Sequence, residues 1–199
     1  MKKMVSILAA LVMALGACGL AFAETAALPA YTYPEDGSVW EAVVKHMQAT
    51  DYGFEPNEGG VLIPTPVILR IDMNEEATEA TVYGNFWIFT YTQKGKSLVT
   101  GPCGENPGVM KVKQDENGQW SVVSEEYAED GENYQESIKK LCNGDKALEE
   151  EYAKSTFSRE DNYVEQIQRS TLVQYITDNQ LDITTLEDTG YPEPVDLTV

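Results

Sequence analysis

The sequence predicts an α+β domain: an N-terminal helix packed on a curved antiparallel sheet, with additional C-terminal helices. Three observations carry that expectation. Thr81–Thr92, Thr-Val-Tyr-Gly-Asn-Phe-Trp-Ile-Phe-Thr-Tyr-Thr, is the densest run of β-branched and aromatic residues in the chain and reads as a central strand. Around it, short alternating runs separated by turn residues fill 66–127, which is the pattern of sequential hairpins. Beyond residue 133 the apolar spacing changes from two to three and four, which is helical.

The first 23 residues belong to export. Lys2 and Lys3 precede an apolar run from Met4 to Phe22, broken only by Ser6, and Ala21-Phe22-Ala23 is a small-x-small site. These are the parts of a secretory signal peptide, residues 1–23. An uncleaved anchor is the alternative, since the run approaches spanning length. Leu15-Gly16-Ala17-Cys18 resembles a lipobox, in which Cys18 would be lipidated and become the N-terminus. The apolar Gly-Leu-Ala-Phe-Ala after Cys18 favours cleavage after Ala23. Secreted or lipid-anchored, the mature domain is expected outside the cytoplasm, with no transmembrane segment of its own. Residues 24–33 read as a loose leader and 34–199 as one domain.

Removal of 1–23 leaves 176 residues, with 12 basic residues against 33 acidic ones, a formal charge of −21. Such a chain has little to neutralise phosphates with, which argues against nucleic acid and against anionic membrane surfaces. Two cysteines stay in the mature chain, Cys103 and Cys142. An even count in an exported protein suggests one disulfide, closing a loop of about 40 residues worth about 4 kcal/mol in the chain-entropy view. Two free thiols are the alternative. No Cys-x-x-Cys spacing points to redox chemistry or zinc.

Taken in order, Ser38 and Glu41 form a Ser-x-x-Glu capping box. Trp40, Val43, Val44 and Met47 then share one helical face, Trp40 being its largest member, and the helix ends between Thr50 and Gly53. Pro64 and Pro66 separate a short apolar Val61–Ile63 from a strand over 66–72, in which Val67, Leu69 and Ile71 alternate with Ile68 and Arg70. In the central strand Tyr83, Trp87, Phe89 and Tyr91 point one way and Val82, Phe86 and Ile88 the other. Both faces being apolar, it is an interior strand, with Gly84 the natural place for a bulge. A strand over 97–100, a Gly/Pro-rich loop over 101–108 carrying Cys103, a strand over 109–113, an Asp115–Gly118 turn and a strand over 119–127 complete an antiparallel meander. Tyr134, Ile138, Leu141 and Cys142 lie on one helix face; Asn143-Gly144-Asp145 stops that helix and starts another with Asp145 as N-cap. Ser158 caps a longer helix with Asp161 in its first turn, striped by Val164, Ile167, Leu172, Tyr175 and Ile176. The tail from Gln180 reads as extended along the surface.

Chemistry is sparse. His46 is the single histidine, placed at the margin of the first helix, so a site needing several imidazoles is ruled out by count. There is no Gly-x-Ser-x-Gly elbow, P-loop or Gly-x-Gly-x-x-Gly. Asp178–Thr189 fails the calcium-loop pattern at its glycine and terminal glutamate positions. No cofactor is implied. Tyr83, Trp87 and Tyr91 pack either as core or as the lining of a concave pocket. Arg70, in a strand of Val, Ile and Leu, is either exposed or a carboxylate binder facing that pocket.

The helix holding Trp40–Met47, the hairpins and the long aromatic strand resemble the nuclear-transport-factor-two-like, or cystatin-like, α+β cone superfamily, although the extra helices after the sheet depart from its simplest form. Thr81–Phe89, Pro107-Gly-Val-Met-Lys-Val-Lys, Asp130-Gly and the Ser137-Ile-Lys-Lys helix resemble a group of exported proteins of gut-dwelling Gram-positive bacteria that has no assigned activity. The resemblance implies a fold and a location. The functional expectation is a non-catalytic domain that binds a small molecule or an envelope protein through Tyr83, Trp87, Tyr91, Arg70 and Trp40. The alternatives are a small hydrolase or isomerase using pocket carboxylates with Tyr83 or Tyr91, and a structural interaction module.

Overall fold

The computed structural model describes residues 27–156, 163–188 and 193–198; Cys18 and the predicted cap Ser158 with Asp161 lie outside them. Among the described residues the order is α1 (Val39–Ala49), β1 (Val61–Met73), β2 (Glu79–Lys94), β3 (Ser97–Gly104), β4 (Pro107–Gln114), β5 (Trp120–Tyr127), α2 (Tyr134–Leu141), α3 (Lys146–Lys154), α4 (Tyr163–Asp178), β6 (Thr185–Glu187) and β7 (Val195–Asp196). The architecture is α+β: seven strands in one open mixed sheet, with helices on both faces. No described helix is long and apolar enough to cross a membrane.

β2 is the shared member of the sheet. One side pairs with β1 along almost its whole length, from Met73↔Ala80 to Val61↔Tyr91. The other side is divided: Glu79–Asn85 pairs with β4 and Ile88–Lys94 with β3. At the fork, the Phe86 N–H donates to the Asn106 carbonyl (3.1 Å), and the Asn106 amide donates back to the Phe86 carbonyl (3.0 Å). That satisfies the backbone where β2 has no strand partner on its forked side. Interior placement of the strand is thus as the residue pattern predicts, but the connectivity is not a simple meander.

Several expected boundaries change. β1 is one strand running through Pro64 and Pro66; it lies at a sheet margin, where a missing N–H costs no ladder bond. β3 continues through Cys103, so the predicted 101–108 loop contracts to two residues. The tail is not a surface appendage. Thr185–Glu187 adds to β3 in parallel, β7 adds to β6, and Ile183, Leu186 and Leu197 are buried. A parallel addition is possible because three helices intervene between β5 and β6. The leader is also built in. Leu28 is buried in the main core, its N–H donates to the Gly59 carbonyl (2.9 Å), and the Tyr175 hydroxyl donates to the Pro29 carbonyl (2.7 Å).

The two faces of β2 serve two cores. Val82, Phe86 and Ile88 pack with Met110 and Val112 under Ala42, Val43 and Met47 of α1. Ser38 accepts from the Glu41 N–H (3.0 Å), and Glu41 reaches back to the Gly37 N–H (2.6 Å), so the capping pair forms one residue earlier than the standard reciprocal box. Trp40 is only partly buried and lies outside these core clusters; Met47 and the two valines carry the stripe instead. Trp87, Phe89 and Tyr91 face the other way and pack with Val164, Leu172, Tyr175 and Ile176 of α4.

Candidate functional site

A bulge decides where Arg70 points. The β1–β2 register steps from Ile68↔Gly84 to Arg70↔Tyr83, leaving Leu69 extra. Without that insertion Arg70 would pair one position later and face α1, since one residue of slip exchanges the faces of a strand. With it, the Arg70 guanidinium stands 4.5 Å over the Tyr83 ring, a cation–π contact. The bulge sits in β1 rather than at Gly84 as predicted. Gly84 answers it from across the ladder: a Cβ there would lie 2.8 Å from the Val67 carbonyl oxygen.

Asp145 holds the arginine. Its Oδ1 accepts from the Ala147 and Leu148 N–H groups as the N-cap of α3, and its Oδ2 accepts from Arg70 Nη1 at 2.7 Å. The guanidinium therefore keeps the Asp145 carboxyl below the ordinary carboxylate range, helped by the two amides. Asp72 Oδ2 is 3.1 Å from Arg70 Nε, yet Nε makes no hydrogen bond although it is shielded from solvent. Beneath, Tyr83 rests on a small core of Ile138, Cys142, Leu148 and Tyr152, and the Tyr152 hydroxyl donates to the Gly108 carbonyl (2.5 Å).

A groove lies at this end of the sheet, beside α2. It has a volume of about 560 Å³ and is lined by Thr81, Tyr83, Val109 and Leu141, by the hydroxyl of Ser124, and by two lysines, Lys111 and Lys140, and two glutamates, Glu125 and Glu126. Lys111 has no ion pair among the described residues, whereas Lys113 on the same strand is bound to Glu79 at 2.8 Å. An unpaired ammonium beside a partly buried aromatic ring suits a carboxylate on an apolar body.

The sequence-predicted set divides. Tyr83 and Arg70 meet. Trp87 and Tyr91 are 6% and 1% exposed: the Trp87 indole N–H donates to the Ser155 carbonyl (3.1 Å), and the Tyr91 hydroxyl accepts from Gln168 (2.9 Å). Burial drives the Tyr91 hydroxyl far above its usual range. These two are core residues beneath helices, not a pocket lining. Trp40 belongs to α1, on the opposite side of the sheet. Cys103 and Cys142 are free thiols, not a disulfide. Cys103 lies in β3 beside the C-terminal half of β2, while Cys142 ends α2 in the small core over its N-terminal half. Burial raises both, Cys142 to about 11.

Sequence reasoning missed Lys111, Ser124, Lys140 and Asp145 as neighbours of Tyr83. Lys111 was within reach, because Val109 and Lys111 alternate onto one face. The placement of α2 was not, since nothing local fixes where a helix lands after a loop. A second polar chain was also missed. Glu125 Oε2 accepts from His46 Nε2 (2.5 Å) and from the Tyr127 hydroxyl (2.8 Å), whose oxygen in turn takes the Tyr52 hydroxyl proton (2.7 Å). The Thr50 hydroxyl donates to the His46 carbonyl (2.9 Å) and its oxygen lies 3.4 Å from the imidazole Nε2. The histidine fastens the end of α1 to β5. No protein family, curated protein or solved structure matches the chain.

Proposed function

We propose that the protein is an exported, non-catalytic binding domain whose ligand is a small carboxylate-bearing molecule seated in the groove over Tyr83. The observation that carries this reading is the groove beside Tyr83 and Lys111. α4 lies over Trp87, Phe89 and Tyr91, while α2 and α3 pack against Tyr83 from one side and leave it in a groove with Thr81 and Lys111, a lysine outside any ion pair among the described residues. The charged N-terminus, apolar run and Ala21-Phe22-Ala23 site support export by a signal peptide. A helix laid across one face of a sheet built on two long antiparallel strands supports a cystatin-like relationship, although β6 and β7 extend the sheet beyond the simplest cone.

Titrating the isotopically labelled protein with benzoate and succinate, and following backbone amide shifts, tests the reading. Saturable shifts clustered at Thr81, Tyr83, Val109, Lys111 and Ser124, reduced at least tenfold in affinity by Lys111→Glu, are expected. Shifts that are absent, scattered or indifferent to Lys111→Glu reject it.

A further inference from the structure

The outer edge of β1 carries unused backbone groups. Among the described residues β1 pairs with β2 on one side and with no strand on the other. The Asn74 N–H donates to the Glu79 carbonyl (2.9 Å), which fixes the phase of the ladder. Bonded and unbonded positions alternate in an antiparallel pair, so Asp72↔Thr81 and Arg70↔Tyr83 are the bonded pairs that follow. Ile71 and Met73 are the alternate positions, and their N–H and C=O groups point away from the sheet. Neither N–H is donated elsewhere among the described residues. Their side chains are open too, 42% and 46% exposed, two of the four large apolar side chains so exposed among the described residues. Edges of this kind are commonly blunted by proline or by charge. Pro64 and Pro66 interrupt the first half of β1, but no proline stands between Leu69 and Met73.

The charges there do not blunt the edge, because the stretch is complementary to itself. Leu69-Arg70-Ile71-Asp72-Met73, laid antiparallel on a second copy with Ile71 opposite Ile71, sets Arg70 opposite Asp72 twice. The next register that keeps outward positions together, Ile71 opposite Met73, sets Asp72 opposite Asp72 instead, and like charges directly opposite destabilise a pair. A two-fold axis through Ile71 and normal to the sheet keeps the faces in step. Arg70 and Asp72 then meet on the Tyr83 face, and the two isoleucines on the α1 face. Leu69 is turned toward the cores by the bulge, which ends the pairing there. Both charged groups can take the added partner. Asp72, 51% exposed, approaches Arg70 Nε at 3.1 Å within the chain, and that nitrogen makes no hydrogen bond. Arg70 gives Nη1 to Asp145 and is 36% exposed, and a guanidinium has five donors. The long strand at the opposite margin, β5, carries two glutamates and no cation, so it offers itself no such match.

We infer that two copies of the chain join edge to edge through β1, antiparallel about Ile71, into one continuous sheet. The contact is isologous and independent of the groove and its ligand. So short a pairing falls below the about 1,200 Å² at which standard stable interfaces begin, so the dimer is weak and concentration-dependent. Sedimentation velocity over a concentration series tests it, with circular dichroism to check each fold. The unaltered protein is expected to pass from monomer to dimer as concentration rises. Arg70→Asp and Asp72→Arg each set like charges opposite one another, and each is expected to weaken self-association at least tenfold. Mixed together, the two variants present aspartates to arginines at both positions, and the dimer is expected to return as a heterodimer. Ile71→Pro removes an N–H that β2 does not use and is expected to weaken association as well. Asp72→Arg and Ile71→Pro keep the test decisive if Arg70→Asp, which also loses Asp145, does not fold. A protein that stays monomeric throughout the series, a dimer indifferent to Asp72→Arg and Ile71→Pro, or folded charge variants that fail to associate when mixed overturns the inference.

Discussion

Replacing Asn85 with aspartate exchanges one amide nitrogen for oxygen at the most enclosed polar position of the sheet. Asn85 is 0% exposed. Its Nδ2 donates to the Ser155 carbonyl (3.0 Å) and to Glu105 Oε2 (2.8 Å), and its Oδ1 has no hydrogen-bond partner. Asn85→Ala removes both donated bonds, together worth about 2–4 kcal/mol, and also removes the orphaned oxygen, which returns about 1–3 kcal/mol. The expected net loss is about 1–2 kcal/mol. Asn85→Asp keeps the shape but turns a donor against two acceptors, one a carboxylate. Above neutral pH that is an uncompensated buried charge, expected to cost about 3–5 kcal/mol. The sign with pH follows from burial. The new carboxyl and Glu105, whose own carboxyl burial already raises, have folded-state pKa values above their unfolded ones. Stability is therefore full at pH below the unfolded carboxylate range and is lost as pH rises through the folded values. Urea unfolding between pH 4 and 8 measures it: the aspartate variant should fall below the alanine variant at pH 8 and recover at pH 4. An aspartate variant as stable as the alanine variant at every pH refutes the placement of Asn85 between Glu105 and Ser155.

Other outcomes follow from single contacts. Leu28→Ala should cost about 2–3 kcal/mol in chemical denaturation, because Leu28 is 7% exposed in the main core; a cost below about 0.5 kcal/mol would mean the leader is not docked. Gly84→Ala should destabilise by about 1–3 kcal/mol, its Cβ forced against a carbonyl oxygen 2.8 Å away across the bulge, and a thermal melt reads it directly. Without reductant, Cys103 should react with a thiol reagent in the folded protein and Cys142, 3% exposed, only on unfolding; failure to label both after denaturation would show them oxidised. His46→Gln should lower stability by no more than about 1 kcal/mol, since the pair it breaks is 28% and 32% exposed, and urea midpoints at pH 6 compare the two.

Local signals were legible in the residues. The Ser38 cap, the Asn143-Gly144 stop with positive φ at both positions, the Asp145 cap and the Asp115–Gly118 turn each depend on side chains within four positions of one another. The period-two run through Thr81–Thr92 identified an interior strand correctly. What the residues did not disclose were decisions made between distant segments. The alternation at 67–72 placed Leu69 and Ile71 together, and the bulge at Leu69 reversed that, bringing Arg70 to Tyr83. Periodicity could not say which half of the aromatic face the C-terminal helices would cover, so Trp87 and Tyr91 passed for pocket residues with the same propriety as Tyr83. The cysteine count is blind to geometry: parity suggested a bond that the two halves of β2 keep apart.

The forked pairing of β2 has a kinetic and thermodynamic consequence. β4 with β5, and β3 with β6 and β7, are two half-sheets with no common neighbour except this strand. Each half bonds a different run of β2, 79–85 or 88–94, and β1 binds both runs from the other side, so the continuous β1–β2 ladder ties the two halves together. Native-state amide exchange should accordingly find no separate opening for the two halves. The amides of Val82 through Phe89 should exchange only with global unfolding, and both half-sheets should melt in a single transition despite their different helical cover.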